Sequence, residues 1–286
     1  MKKLLTALIT IFVLASCQKE ISLEPNNNGG TGGTGGNTNG DLLVKALEIT
    51  IATNDTNVLT FEYDAQKRLT NYNSTGVVNG LPTLLNTRIT RASDGKILNI
   101  VAKSSFSGGV DSTIYKVFYV AGTNKLSYVL STQVTFIGDL NDSTTYTYNA
   151  AGQVVSKETF SDLFGSWDVV EKRQFTYDAN ANVVKTESLT PNGSGGYDLN
   201  STSTYTYDGR KTAIQMGDES FIAFGAENFS GSNVTKIVSN AVASGTTYTG
   251  IFSGQQFNSF NRPTIGTLTV TPQPPGYSVK LLYYYQ

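Results

Sequence analysis

The chain has 286 residues, with 39% hydrophobic and 15% charged residues and a formal net charge of −1. That balance gives no basic footprint for nucleic acid. It holds no histidine and a single cysteine, which excludes a Ser-His-Asp triad, a Cys-His pair, His-ligated metals and internal disulfides. Carboxylates, Lys, Arg, Tyr and hydroxyls are left for any chemistry, and neither a cofactor nor a metal is expected.

The first element is a secretory signal over residues 1–16. Lys2 and Lys3 precede an apolar run from Leu4 to Leu14, followed by Ala15, Ser16 and Cys17. A basic start, a short apolar core and small residues before the cut make such a signal, and the run is too short to span a bilayer. Leu14-Ala15-Ser16-Cys17 resembles the lipobox of bacterial lipoproteins. That resemblance implies cleavage between Ser16 and Cys17, a diacylglyceryl thioether on the Cys17 sulfur and an acylated amino group. The membrane is then a partner through this lipid. Gln18 in place of Asp after the cysteine fits the sorting pattern of outer-membrane lipoproteins. Gln18-Lys19-Glu20 resembles the short signals of some surface-exported lipoproteins, which leaves both leaflets open.

Residues 17–40 follow as a Gly/Asn-rich tether that buries too little apolar surface to order itself. Its r.m.s. span is on the order of 25 Å. It would hold a folded domain near a membrane without pressing it there.

Residues 41–286 read as one all-β domain. No helical period is sustained, and strands alternate with Gly, Asn, Asp and Ser clusters. One pattern recurs: alternating aromatics, an Asp or Asn, a tight turn, then an apolar residue. It is clear at Phe61-Glu62-Tyr63-Asp64, Tyr146-Thr147-Tyr148-Asn149, Phe175-Thr176-Tyr177-Asp178 and Tyr205-Thr206-Tyr207-Asp208. Weaker copies centre on Arg91 and Tyr119, and residues 257–263 form a divergent last copy. The anchors at 63, 91, 119, 148, 177 and 207 are spaced by 28 to 30 residues. So steady a period marks a repeat architecture, each unit being two strands and two connections. The turns after the anchors are tight. The other ends predict longer loops at 73–82, 104–111, 135–142, 161–168 and 190–198, on a loop-rich rim where loop-borne function would lie.

The strands before the tight turns put aromatics on one face and Thr or Gln on the other. Such a sheet should roll up with the aromatics inside. The expected fold is an antiparallel meander of about 14–17 strands in a barrel-like roll. A polar outer face argues against a lipid-spanning barrel.

The units resemble the YD repeats of Rhs-type proteins, most closely at Tyr63-Asp64, Tyr177-Asp178 and Tyr207-Asp208. With the lipobox and the tether, the chain resembles a family of uncharacterised outer-membrane lipoproteins with YD-like repeats. That resemblance implies a large, porin-like rolled antiparallel sheet and carries no activity with it.

Trp167, the only tryptophan, falls in an expected loop and offers a sugar-stacking platform. Tyr197 holds the matching place one unit later, ten residues before its anchor, and a place filled in successive copies points to packing. Trp167 and Tyr197 are the candidate ligand contacts. Asp178, Asn180 and Asn182 have calcium-loop spacing, but Val183 and Leu189 stand where a Gly and a bidentate acid are needed, so a repeat turn is the better reading. Asp162 with Asp168, or Asp139 with Asp142, could pair as glycosidase carboxylates; loop carboxylates are more simply solvated. No catalytic residue is assigned, and the chain is not expected to be an enzyme. The expected function is a non-catalytic envelope binding module with glycan as the leading ligand class. The alternatives are a structural or protein-interaction subunit of an envelope complex, and a carboxylate-dependent hydrolase.

Overall fold

The computed structural model describes residues 40–286 except 79–80, 107–108, 136–137, 164, 215, 224–229 and 273–277. The expected signal, Cys17 and all of the tether but Gly40 lie outside the described residues.

The strands run in chain order: β1 (Leu43–Thr50), β2 (Asp55–Tyr63), β3 (Leu69–Val78), β4 (Leu81–Arg91), β5 (Ile97–Phe106), β6 (Gly109–Tyr119), β7 (Leu126–Thr135) and β8 (Gly138–Tyr148). They continue as β9 (Val154–Leu163), β10 (Ser166–Tyr177), β11 (Val183–Pro191), β12 (Tyr197–Lys211), β13 (Ser232–Ala241), β14 (Thr246–Phe257), β15 (Pro263–Thr271) and β16 (Ser278–Tyr285). One helical turn, α1 (Glu219–Ile222), lies between β12 and β13. Each strand pairs antiparallel with its sequence neighbours, and β1 pairs with β16, so the sheet closes on itself. The fold is a 16-strand antiparallel barrel, within the range that the repeat period predicts.

Alternation decides which way the wall faces. Phe175 and Tyr205 are buried inside, while Thr145, Thr147, Gln174, Thr176, Thr204 and Thr206 are exposed outside. The repeated tyrosines explain the period. Each reaches across its hairpin to the first residue of the preceding strand. Tyr63, Tyr148, Tyr177, Tyr207 and Tyr285 donate their hydroxyls to the carbonyls of Leu43, Leu126, Val154, Val183 and Pro263, at 2.6–3.0 Å. Tyr119 instead accepts from the Ile97 amide at 3.0 Å. Arg91 takes the same place with another chemistry, its Nη2 donating to the Leu69 carbonyl at 3.3 Å. Phe257 has no hydroxyl, and its ring lies 4.1 Å from the Arg210 guanidinium. Burial pushes the Tyr148 phenol up to about 12, so this rung keeps its proton at physiological pH.

The turns after the repeat anchors all sit on one rim, called here the near rim. After Tyr177, Asp178 Oδ1 accepts from the amides of Asn180 and Asn182, and Asn182 Nδ2 donates to Asp178 Oδ2. Asp64 and Asn258 build the same turn at their own positions. The calcium-like spacing is therefore a turn whose acid oxygens are engaged by its own backbone. The chain joins the barrel on this rim. Arg262 Nε holds Asp41 at 2.6 Å, and Leu42 and Gln286 exchange backbone hydrogen bonds.

The far rim corrects the sequence reading. The expected long loops at 73–82, 104–111, 135–142 and 161–168 are mostly strand, while 190–198 keeps residues 192–196 between β11 and β12. β3 and β4, β5 and β6, β7 and β8, and β9 and β10 are each separated by only two residues. The physical reason is clearest on β8, whose far part at residues 141–144 is polar on both faces. On β8, Asn141 and Ser143 face out while Asp142 and Thr144 face in, so the apolar alternation that marks a strand is missing.

One unit differs. Tyr207 to Phe257 spans 50 residues, against the usual 28 to 30, and residues 212–231 supply the excess. Thr212 and Gly231 close its base with a 3.1 Å backbone bond. The insertion folds into the near end of the barrel. Met216 and Ile222 join the buried cluster of Leu43, Phe61, Ile89, Ile100, Val117 and Leu126. Phe221 joins Val154, Phe175, Val183 and Tyr205, meeting Phe175 edge-on at 5.3 Å.

Candidate functional site

A closed ring of 16 strands is wide enough to hold water. Here the insertion fills its near end, and the far half of the lumen has a different lining. On β8 to β12 the inward positions past the aromatic zone include Asp142, Thr144, Lys157, Thr159, Ser161, Asp168, Glu171, Arg173, Ser188 and Ser201, with Leu140 beyond them. Their hydrogen bonds run across the strands: Thr144 and Thr159 hydroxyls lie 3.1 Å apart, and Ser161 donates to Asp142.

A charged group lies where this zone meets the insertion. Lys157 and Arg173 are register partners on facing strands. Lys157 Nζ donates to the Phe221 carbonyl at 3.2 Å, near the end of α1. Burial pushes the Lys157 ammonium down to about 8, with the Arg173 charge adding to the shift and Glu171 opposing it. Glu171 Oε1 accepts from Arg173 Nε and Ser188 Oγ, both at 2.8 Å. Burial alone would raise the Glu171 carboxyl, but the Arg173 charge and these bonds hold it below its usual value. The Arg173 side chain is 37% exposed. Among the described residues its Nη groups have no hydrogen-bond partner.

The sequence candidates fall elsewhere. Trp167 pairs with Asp162 on the outer wall at the far rim and is 49% exposed. Tyr197 is also on the outer wall, where its hydroxyl donates to Glu158 and Lys172 covers its ring. The two are not brought together around a recess. Both proposed acid pairs are split by the pleat. Asp162 faces out opposite Trp167, whereas Asp168 lies opposite Ser161 on the inner face. Asp139 and Asp142, three residues apart on β8, also face opposite ways.

A cavity of about 450 Å³ opens at the near rim between the insertion and the turns after β2 and β4. Three ion pairs stand around it, Arg68 with Asp64, Lys96 with Asp94, and Arg91 with Glu219, and Lys67 and Asp218 also line it. It reads as a seam between plug and rim. The lumenal Arg173 group was missed in the sequence because its residues are scattered over β9, β10 and β11. Loss of alternation at the far strand ends was the available signal for a wet lumen.

Neither a protein-family profile nor a curated protein matches the chain. Among solved structures it is similar to a porin-like protein from Bacteroides uniformis, with a TM-score of 0.51 and 11% identity over 86% of this chain and 99% of that one. The two share a fold. A porin-like protein from Bacteroides vulgatus is also similar, with a TM-score of 0.45 and 14% identity over 86% of this chain and 98% of that one.

Proposed function

We propose that the chain is a lipid-anchored protein of the bacterial outer membrane and a non-catalytic envelope binding module, with glycan as its leading ligand class. The observation that carries this reading is the polar lining of the far half of the lumen. Met216, Phe221 and Ile222 of the insertion pack into one end, and a hydroxyl-rich, charged wall on β8 to β12 lines the other, which suits a hydrophilic ligand. The lipobox at Leu14-Ala15-Ser16-Cys17 supports the anchor. The YD-like family resemblance is supported by the rung role of its tyrosines. The outer wall supports a barrel standing beside the membrane. It carries the Lys172–Glu158 and Lys185–Glu187 ion pairs and rows of exposed threonines, the reverse of a lipid-facing band.

The test has two arms. Cys17→Ser should release the protein from the membrane fraction, and retention there would overturn the lipid anchor. A glycan panel presented to the mature chain should give binding, and inertness across the panel would remove the glycan assignment. A second reading, docking to an envelope protein, is favoured by the exposed Leu140, Trp167, Leu199 and Val242 near the far rim. Co-purification of one fixed partner from solubilised membranes would support it.

A further inference from the structure

We infer that the lumen takes an acidic glycan, a uronate-bearing oligosaccharide, with its carboxylate on the Arg173 guanidinium and its hydroxyls on Ser188 and Thr159. This rests on the glycan reading above and names the ligand class for the same recess.

The charge balance comes first. Lys157 and Arg173 face each other across a strand pair, and Glu171 is the acid bonded to Arg173. Taken by itself, this group has two cations against one acid, and Lys157 is buried against the Phe221 carbonyl of the plug. Charges act more strongly there than at an open surface. Asp142 on β8, engaged by Ser161, and Asp168 on β10 face the same lumen nearer the far rim, so an incoming carboxylate is favoured only at the Arg173 fork and not at the mouth.

The donor geometry comes second. Lys157 is committed to the Phe221 carbonyl, and Arg173 Nε to Glu171. The two Nη groups are left at a partly exposed position. A guanidinium fork matches a carboxylate in a bidentate pair, which an ammonium or a hydroxyl cannot reproduce. Ser188 is the register partner of Arg173 on β11, and Thr159 that of Glu171 on β9. Sugar hydroxyls thus meet hydroxyls on both sides of the fork.

The experiment is calorimetric titration of the mature chain with oligosaccharides of galacturonate, mannuronate and glucuronate, each beside its carboxyl-reduced neutral form. At least one acidic form should bind tenfold or more tightly than its neutral counterpart. Arg173→Gln should abolish that preference, Arg173→Lys should keep a part of it, and Glu171→Gln should tighten acidic binding. Thermal melts verify that each variant is folded, and if Arg173→Gln is not, Arg173→Lys and Glu171→Gln carry the readout. Equal binding of acidic and neutral forms overturns this inference and leaves the glycan reading standing. Binding of neither form overturns both.

Discussion

Arg91 on β4 is ion-paired with Glu219 on α1, 128 residues further along the chain. Their side chains are 12% and 5% exposed, and this pair ties the plug to the wall. It also explains why one copy of the repeat lost its tyrosine: at that place the rung must bind a carbonyl and a carboxylate together. Removing one partner strands the other charge, at a cost of about 3–5 kcal/mol. Arg91→Ala and Glu219→Ala should each lower the urea midpoint strongly. The double variant should lose much less than the two losses added. Strict additivity would mean that the pair does not hold the plug.

The rung bonds should be worth less apiece. Tyr177→Phe removes only the hydroxyl that donates to the Val154 carbonyl at 2.7 Å. The expected loss is about 1–2 kcal/mol, read from denaturant unfolding. Tyr197→Phe, which removes a bond on the outer wall, should cost less than Tyr177→Phe.

Asp218, just before α1, gives the plug a pH dependence. Burial, with the neighbouring Glu219 charge, pushes its carboxyl from 3.8 up to about 6. The folded state therefore holds this proton more tightly than the unfolded chain. Its stabilising contribution is complete below pH 3.8 and is lost as the pH rises through about 6. Above that, the charged carboxylate opposes folding. Asp218→Asn should melt higher than the parent at pH 7, with the gap closing at pH 4. An equal gap at both pH values would remove the titration account.

Trp167 reports on the far rim without touching the lumen. As the sole tryptophan, 49% exposed, it should show red-shifted emission and ready quenching by acrylamide. Trp167→Ala should leave the melting temperature within about 2 °C and glycan affinity unchanged. A loss of glycan binding in this variant would move the site to the outer wall.

Much of the barrel was legible in the order of residues. The 28–30-residue spacing set the hairpin unit, and the aromatic face set the inside. Two things were hidden, both for physical reasons. Strand ends polar on both faces, as at residues 141–144, carry no alternation, so they read as loops. Residues 212–231 read as decay of the repeat, because a plug is shaped by the cavity it enters and not by a period of its own. Lys157 and Arg173 carry no local mark in the sequence, since nothing in the neighbouring residues shows that a side chain faces a lumen. The acid pairs failed for the opposite reason: nearness in sequence placed Asp139 and Asp142 on one strand, where an odd offset sends them to opposite sides.

The tyrosine rungs span only 20 to 24 residues, so each hairpin carries its own register. A ring built this way has its circumference set by the number of copies and not by any one interface. Adding or deleting a whole unit would change the bore while leaving every remaining rung intact. The plug fixes that count, because Phe221 and Met216 fit only one diameter. A duplicated gene segment would still fold its hairpins, yet leave a gap around the insertion. In such a molecule Phe221 and Met216 would lose part of the wall they pack against.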